Sequence, residues 1–212
     1  MNKIRIKVCG MTDPSNVEVI CKFKPEYLGY IFYPKSARYV GNNPDPRIFS
    51  IVPESIEKTA VFVNEYYERM IEIVEKFDIN TVQLHGMESP EICKSFRFRG
   101  KKVIKVIPGN QIGNDNLLKD YSDVVDYFLF DTPVKSFGGS GRKFNWSNLD
   151  ELNTDIKFFL SGGISIGDAA QLKKIESSTF YAADINSRFE SAPGMKNPEL
   201  VKKFINELRH ER

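Results

Sequence analysis

Ile4-Arg5-Ile6-Lys7-Val8-Cys9-Gly10-Met11-Thr12-Asp13-Pro14 holds one complete structural unit. From Ile4 to Val8 apolar and polar residues alternate, the period of a strand with two different faces. Cys9-Gly10-Met11 follows the strand, and Asp13-Pro14 then signals a helix start. An aspartate can cap free N–H groups, and a proline at the first helical position gives up no hydrogen bond it would have made.

The same plan recurs along the chain. After Ile4–Val8, strands are expected at Tyr27–Ile31, Lys58–Phe62, Thr81–Leu84, Lys102–Ile107, Tyr127–Phe130, Lys157–Leu160 and Phe180–Ala183. Their starts lie 21 to 31 residues apart, room for one helix and two loops in each gap. Ser89-Pro90 and Asn197-Pro198 repeat the cap-proline signal, and Ser165 with Asp168 has capping-box spacing. Met70, Ile71, Val74 and Phe77, and later Leu200, Phe204 and Leu208, recur at helical spacing. A helix within Asp45–Val52 is the least supported, because Pro44, Pro46 and Pro53 crowd it. Eight alternating units imply parallel strands with right-handed crossovers and an α/β fold, a (β/α)8 TIM barrel in one domain spanning 1–212. An open doubly wound sheet is the alternative. Against it, no Gly-x-Gly-x-x-Gly follows the first strand and no Gly-Lys-Ser/Thr occurs.

Composition narrows the function. The 212 residues are 41% hydrophobic and 27% charged, ordinary globular values. Lys plus Arg is 30 against 28 Asp plus Glu, a net charge of +2, so a general nucleic-acid partner is not expected. No apolar run approaches the ~18 residues of a membrane span, and the first residues lack the apolar block of a secretory signal. Three cysteines, Cys9, Cys21 and Cys93, form no paired framework. A reducing, cytoplasmic location is expected. With only His85 and His210 in the chain, no histidine-based metal site is expected.

In a TIM barrel the chemistry sits where strands end. Cys9 follows the first strand, Arg38 the second, His85 the fourth, and Asp131 the apolar run Phe128-Leu129-Phe130. Ser161-Gly162-Gly163 follows the seventh strand, and Asp184-Ile185-Asn186-Ser187-Arg188 the eighth. Cys9 reads equally as a buried hydrophobe and as a reactive thiol, the latter needing a nearby cation to favour the thiolate. Cys21 and Cys93 fall inside helices and read as core. Asp131 is either a loop cap or a proton donor beside an apolar surface. Asp184 reads as structural. Arg38 is either a surface residue or a bidentate clamp for a carboxylate. His85 is an acid–base candidate, though a structural role is the plainer one. Gly138-Gly139-Ser140-Gly141, in a 14-residue loop from Thr132 to Asn145, joins Gly162 and Gly163 as a candidate phosphate cradle.

These residues resemble the phosphoribosylanthranilate isomerases of tryptophan biosynthesis. The matching segments begin with Lys7-Val8-Cys9-Gly10-Met11-Thr12, Gly29-Tyr30-Ile31-Phe32-Tyr33-Pro34-Lys35-Ser36-Ala37-Arg38-Tyr39-Val40 and Val61-Phe62-Val63-Asn64. They continue with Val82-Gln83-Leu84-His85-Gly86, Phe130-Asp131-Thr132, Gly138-Gly139-Ser140-Gly141, Ser161-Gly162-Gly163 and Ser191-Ala192-Pro193-Gly194. They run in family order over almost the whole chain. The resemblance implies a TIM barrel that rearranges N-(5-phosphoribosyl)anthranilate to the open-chain aminoketose without a cofactor. It implies Cys9 as general base, Asp131 as general acid and Arg38 as the group holding the anthranilate carboxylate. It places Gly139, Gly141, Gly162, Gly163, Ser187 and Arg188 around the phosphate, and His85, inside a matching segment, is a candidate substrate contact. It implies a monomer or a homodimer. One segment departs: where the family pattern is closer to Ser-Ser-Gly, this chain has Asn186-Ser187-Arg188. A left-handed backbone at 188 would be strained there, and Arg188 adds a charge. Other readings on the same barrel are a different sugar-phosphate enzyme, disfavoured by cysteine where a lysine or aspartate is usual, and a non-catalytic sensor of a phosphorylated ligand.

Overall fold

Each period-two run becomes a parallel strand because the chain between runs is long enough to cross back over the sheet. A computed structural model describes residues 4–132, 146, 149 and 152–209. Its strands β1 (Arg5–Cys9), β2 (Tyr27–Ile31), β3 (Glu57–Phe62), β4 (Thr81–Leu84), β5 (Lys102–Pro108), β6 (Tyr127–Asp131), β7 (Phe158–Leu160) and β8 (Phe180–Ile185) run in that order round a closed barrel. β1 closes on β8, with Lys7 opposite Asp184. The expected barrel is therefore observed, and the open-sheet alternative is excluded by that closure. A short antiparallel hairpin, β9 (Glu190–Ala192) and β10 (Met195–Lys196), stands outside the barrel after β8.

Helices α1 (Pro14–Cys21), α2 (Arg47–Ser50), α3 (Tyr67–Lys76), α4 (Pro90–Phe98), α5 (Asp115–Ser122), α6 (Ala169–Leu172) and α7 (Pro198–Arg209) lie outside the sheet. The expected helix near Asp45–Val52 is one turn, as its prolines dictate. The crossover between β6 and β7 falls mostly outside the described residues, where Trp146 and Leu149 are buried in the core. Asp13 Oδ1 accepts the Asn16 N–H at 2.8 Å, and Asn197 Oδ1 accepts the Glu199 N–H at 3.0 Å, so two of the three cap-proline signals act as expected. Ser89 does not: it makes no side-chain cap bond. The Ser165–Asp168 capping box is present, with the Ser165 N–H donating to Asp168 at 2.7 Å.

Alternation along the strands separates two apolar regions. Ile6, Val8, Leu28, Val103, Phe128 and Phe158 face the helices and join one large core. Their neighbours Tyr27, Ile104, Val106, Leu129, Phe159 and Ala182 pack together inside the barrel. The strand starts close that interior with tyrosines. Tyr27 and Tyr181 share a hydroxyl hydrogen bond of 3.0 Å, and the Arg5 guanidinium lies 4.3 Å above the Tyr181 ring. This plug leaves the opposite end, where the strands finish, as the place where polar side chains gather.

Candidate active site

Cys9 and Asp131 are the last residues of β1 and β6, so the ladder itself aims them. The expectation that each follows its strand is off by one residue. Parallel pairing of Cys9 with Gly29 and of Asp131 with Pro108 carries both strands one position further.

Cys9 points inward above a buried ion pair. Lys7, two residues earlier on the same face, places Nζ 2.9 Å from Asp184 Oδ1, and both side chains are almost fully enclosed. Burial pushes the Cys9 thiol above its ordinary range; Lys7 and Lys196 pull it down, while Asp184 adds to the rise. The Lys7 ammonium, for its part, is stabilised by Asp184 and Cys9 against the cost of burial. Asp184 thus takes the structural role expected of it, as the counter-ion beneath the thiol.

Gly29 makes the space for that thiol. A Cβ at position 29 would lie 2.7 Å from Cys9 Sγ and 3.1 Å from Cys9 Cα, closer than packed atoms tolerate. Gly29→Ala is expected to keep the barrel, at a cost of about 1–3 kcal/mol from overpacking. On the expectation that Cys9 is the general base, moving Sγ by a fraction of an ångström to an ångström should lower kcat by about 10- to 100-fold. Thermal unfolding and steady-state kinetics on the same preparation check this; unchanged kcat would show that Cys9 does not need this position.

Asp131 is held on both oxygens. Oδ1 accepts the Thr132 N–H at 2.7 Å, and Oδ2 faces His85 Nε2 at 3.4 Å. The Gln83 side-chain amide lies 3.2 Å from His85 Nδ1 and holds the ring with Nε2 towards Asp131. A buried knot fixes the loop that bears His85. Glu88 accepts the N–H groups of Asn64 and Gly86 at 2.8 and 2.9 Å, and Lys105 Nζ reaches the Gly86 carbonyl at 2.7 Å and Glu88 at 3.2 Å. Asp131 therefore caps a loop, and its other carboxyl oxygen lies at the mouth beside His85.

Arg38 approaches from the loop after β2. Gly10 lets it in: with φ +82°, a Cβ there would lie 2.8 Å from both Arg38 Cδ and Asn186 Oδ1. Three loops, after β1, β2 and β8, thus meet at one glycine. The guanidinium is paired with Glu190 at 2.7 Å. Sequence reasoning singled out neither Glu190 nor Lys196, which lie 152 and 158 positions beyond Arg38. The only hint was an acid and a base flanking Pro193-Gly194.

On the far side of the mouth, Gly162 and Gly163 adopt φ of +88° and +69°. Gly162 abuts Thr132: an added Cβ would strike its hydroxyl and lie 2.7 Å from its backbone nitrogen. Ser187 and Arg188 begin a 3-10 turn after β8, with Ser187 half-buried and Arg188 exposed. Arg188 does not adopt positive φ, so the departure from Ser-Ser-Gly needs no left-handed backbone at 188. Gly139 and Gly141 lie outside the described residues.

A thiol over an ammonium, a carboxyl–imidazole pair, a paired arginine and two left-handed glycines thus surround one barrel mouth. The family model for N-(5'-phosphoribosyl)anthranilate isomerase matches residues 6–207. The chain belongs to this isomerase family. A relative of that name from Phocaeicola vulgatus is 38% identical over 206 residues, covering 97% of this chain and 98% of its own. Phosphoribosyl anthranilate isomerase from Thermus thermophilus superposes with a TM-score of 0.84 at 25% identity, covering 97% and 98% of the two chains. Another phosphoribosyl anthranilate isomerase, solved with reduced 1-(o-carboxyphenylamino)-1-deoxyribulose 5-phosphate, superposes at 0.80 with 28% identity, covering 97% and 98%. Membership covers the full barrel and makes this chain an isomerase of tryptophan biosynthesis.

Proposed function

We propose that this isomerase converts N-(5'-phosphoribosyl)anthranilate to 1-(2-carboxyphenylamino)-1-deoxyribulose 5-phosphate in one domain, with Cys9 as base and Asp131 as acid. The observation that carries the assignment of roles is the pairing of chemistry with place. A thiol flanked by two buried lysines ends β1, and a carboxyl ends β6 on the same mouth.

The chemistry needs one acid and one base. Asp131 gives its proton to the ring oxygen as the bond from that oxygen to C1 breaks, and the nitrogen lone pair forms the C1=N iminium. The iminium acidifies the C2–H. The Cys9 thiolate takes that proton, and the C–H electrons form the C1=C2 enolamine. Return of a proton to C1 and loss of the C2 hydroxyl proton leave the ketone at C2. Positioned acid and base groups are each worth about 100- to 10,000-fold, so no cofactor is required by this route. His85 holds Asp131 in place through Nε2. Arg38 holds the anthranilate carboxylate, and Gly162, Gly163, Ser187 and Arg188 offer backbone N–H groups to the phosphate; Gly139 and Gly141, outside the described residues, are assigned to the same phosphate site by the family resemblance. All these groups come from one chain, which suits a monomer and a homodimer alike. Three free cysteines fit a cytoplasmic setting, and among the described residues no helix is long and apolar enough to cross a membrane.

The pH dependence follows from the buried thiol. A base whose pKa is raised is active only in its deprotonated fraction, so kcat/KM should climb about tenfold per pH unit below that pKa. The midpoint of that limb is expected above the ordinary thiol range, because burial outweighs the pull of Lys7 and Lys196. Lys7 on β1, Lys196 on β10 and Asp184 on β8 are the charged groups that set it. A rising limb with a midpoint below pH 7 would mean that another group is the base.

Complementation tests the function itself. Expression in a tryptophan auxotroph lacking this isomerase should restore growth without tryptophan, and Cys9→Ser should not. Failure of the wild-type chain, expressed and folded, would count against the reading.

A further inference from the structure

Arg38 is gripped along one edge. Nε donates to both oxygens of Glu190, at 2.9 and 3.0 Å, and Nη2 donates to Oε2 at 2.7 Å. A planar guanidinium offers two such forks, one formed by Nε and Nη2 and one by Nη1 and Nη2. Glu190 occupies the first, which leaves the end-on fork for a second carboxylate.

Glu190 is itself braced. The Lys196 ammonium, fully enclosed, lies 2.5 Å from Glu190 Oε1 and 2.7 Å from Asn186 Oδ1. The Gly194 N–H also donates to Glu190 Oε1, at 3.2 Å. The hairpin that carries these residues takes no part in barrel closure. It is nevertheless pinned to the first unit at three points. Thr12 Oγ1 donates to the Gly194 carbonyl at 3.0 Å, and Asn16 exchanges hydrogen bonds with the Lys196 backbone at 2.8 and 2.9 Å. Buried ion pairs add little net stability, because desolvation offsets attraction. An appended hairpin, fixed at this expense beside Arg38, is better explained by what it does to Arg38.

We propose that Glu190, with Lys196 as its counter-ion, is a positioning residue that aims the free fork of Arg38 and thereby sets the enzyme's preference for a substrate with a ring carboxylate. This rests on the reading of Arg38 as the carboxylate clamp. The ionised state that the brace requires is consistent with its surroundings: burial opposes the Glu190 charge, but Arg38 and Lys196 outweigh it and hold the carboxyl below its usual range.

The test compares two probes, reduced 1-(2-carboxyphenylamino)-1-deoxyribulose 5-phosphate and its phenylamino counterpart lacking the carboxylate. Their Kd values are measured by titration calorimetry for wild type, Arg38→Met, Glu190→Gln and the double variant. Wild type should prefer the carboxylated probe by about 100-fold, the scale of a charge-assisted fork. Glu190→Gln should cut that preference about tenfold while leaving the other probe's Kd within about twofold. The double variant should behave like Arg38→Met alone, as expected when one residue acts through the other. A general structural role for Glu190 would instead weaken both probes together and would overturn the proposal, as would an unchanged preference in Glu190→Gln. A preference untouched by Arg38→Met would overturn the clamp reading itself, a different failure. Should Glu190→Gln not fold, Lys196→Met carries the same expectations.

Discussion

Serine at position 9 should leave a folded barrel whose kcat is lower by about 1,000-fold, within the range for loss of a positioned base. The change removes one polarisable sulfur and adds a hydroxyl of similar shape. Lys7 and Asp184 lie close by to accommodate it, and the stability change should stay within about 2 kcal/mol. A hydroxyl ionises far less readily than a thiol, and the two nearby lysines cannot make up that difference. KM should move little, because Cys9 is asked to act on C2–H and not to hold either anionic end. Steady-state kinetics alongside thermal unfolding decide the matter; kcat within tenfold of wild type would remove Cys9 from the role of base.

Asparagine at position 131 should be as damaging through the other half of the reaction. Its amide oxygen still accepts the Thr132 N–H, which now spans 2.7 Å, so the β6 loop keeps its cap. The group facing His85 Nε2 no longer carries an exchangeable acid proton. Ring opening then proceeds without a donor, and kcat should fall about 100- to 10,000-fold at near-constant KM. The variant separates the two functions of this side chain, because capping survives and proton donation does not. A kcat close to wild type with an altered melting temperature would show that Asp131 serves the loop alone.

Much of this was legible from residue order. Tyr27–Ile31 and Thr81–Leu84 emerge with the expected bounds because short alternating or apolar runs between turn signals have few other ways to bury themselves. Local capping at Asp13 and Asn197 was readable for the same reason: the cap acts within three residues. Ser89 shows the limit of that logic, since the same Ser-Pro signal opens α4 without a side-chain cap bond. Cys9 and Asp131 were candidates by their place at strand ends, but position left a structural role open for each, and only the family resemblance gave them roles. What residue order could not reveal were partnerships across the barrel. Lys7 finds Asp184 at a sequence distance of 177, and Arg38 finds Glu190 at 152. Gly29 looks like any strand glycine until register puts it opposite Cys9. These pairings are set by barrel closure and by the hairpin after β8, and they turn isolated candidates into a site.

The central claim is that the wild-type protein rearranges phosphoribosylanthranilate through Cys9 and Asp131. Fresh substrate would be supplied to wild type, Cys9→Ser and Asp131→Asn, and loss of its fluorescence followed above the uncatalysed decay. Rapid loss with wild type, reduced at least about 100-fold in each variant, is the predicted result. No loss with wild type, or equal loss in all three proteins, would contradict it.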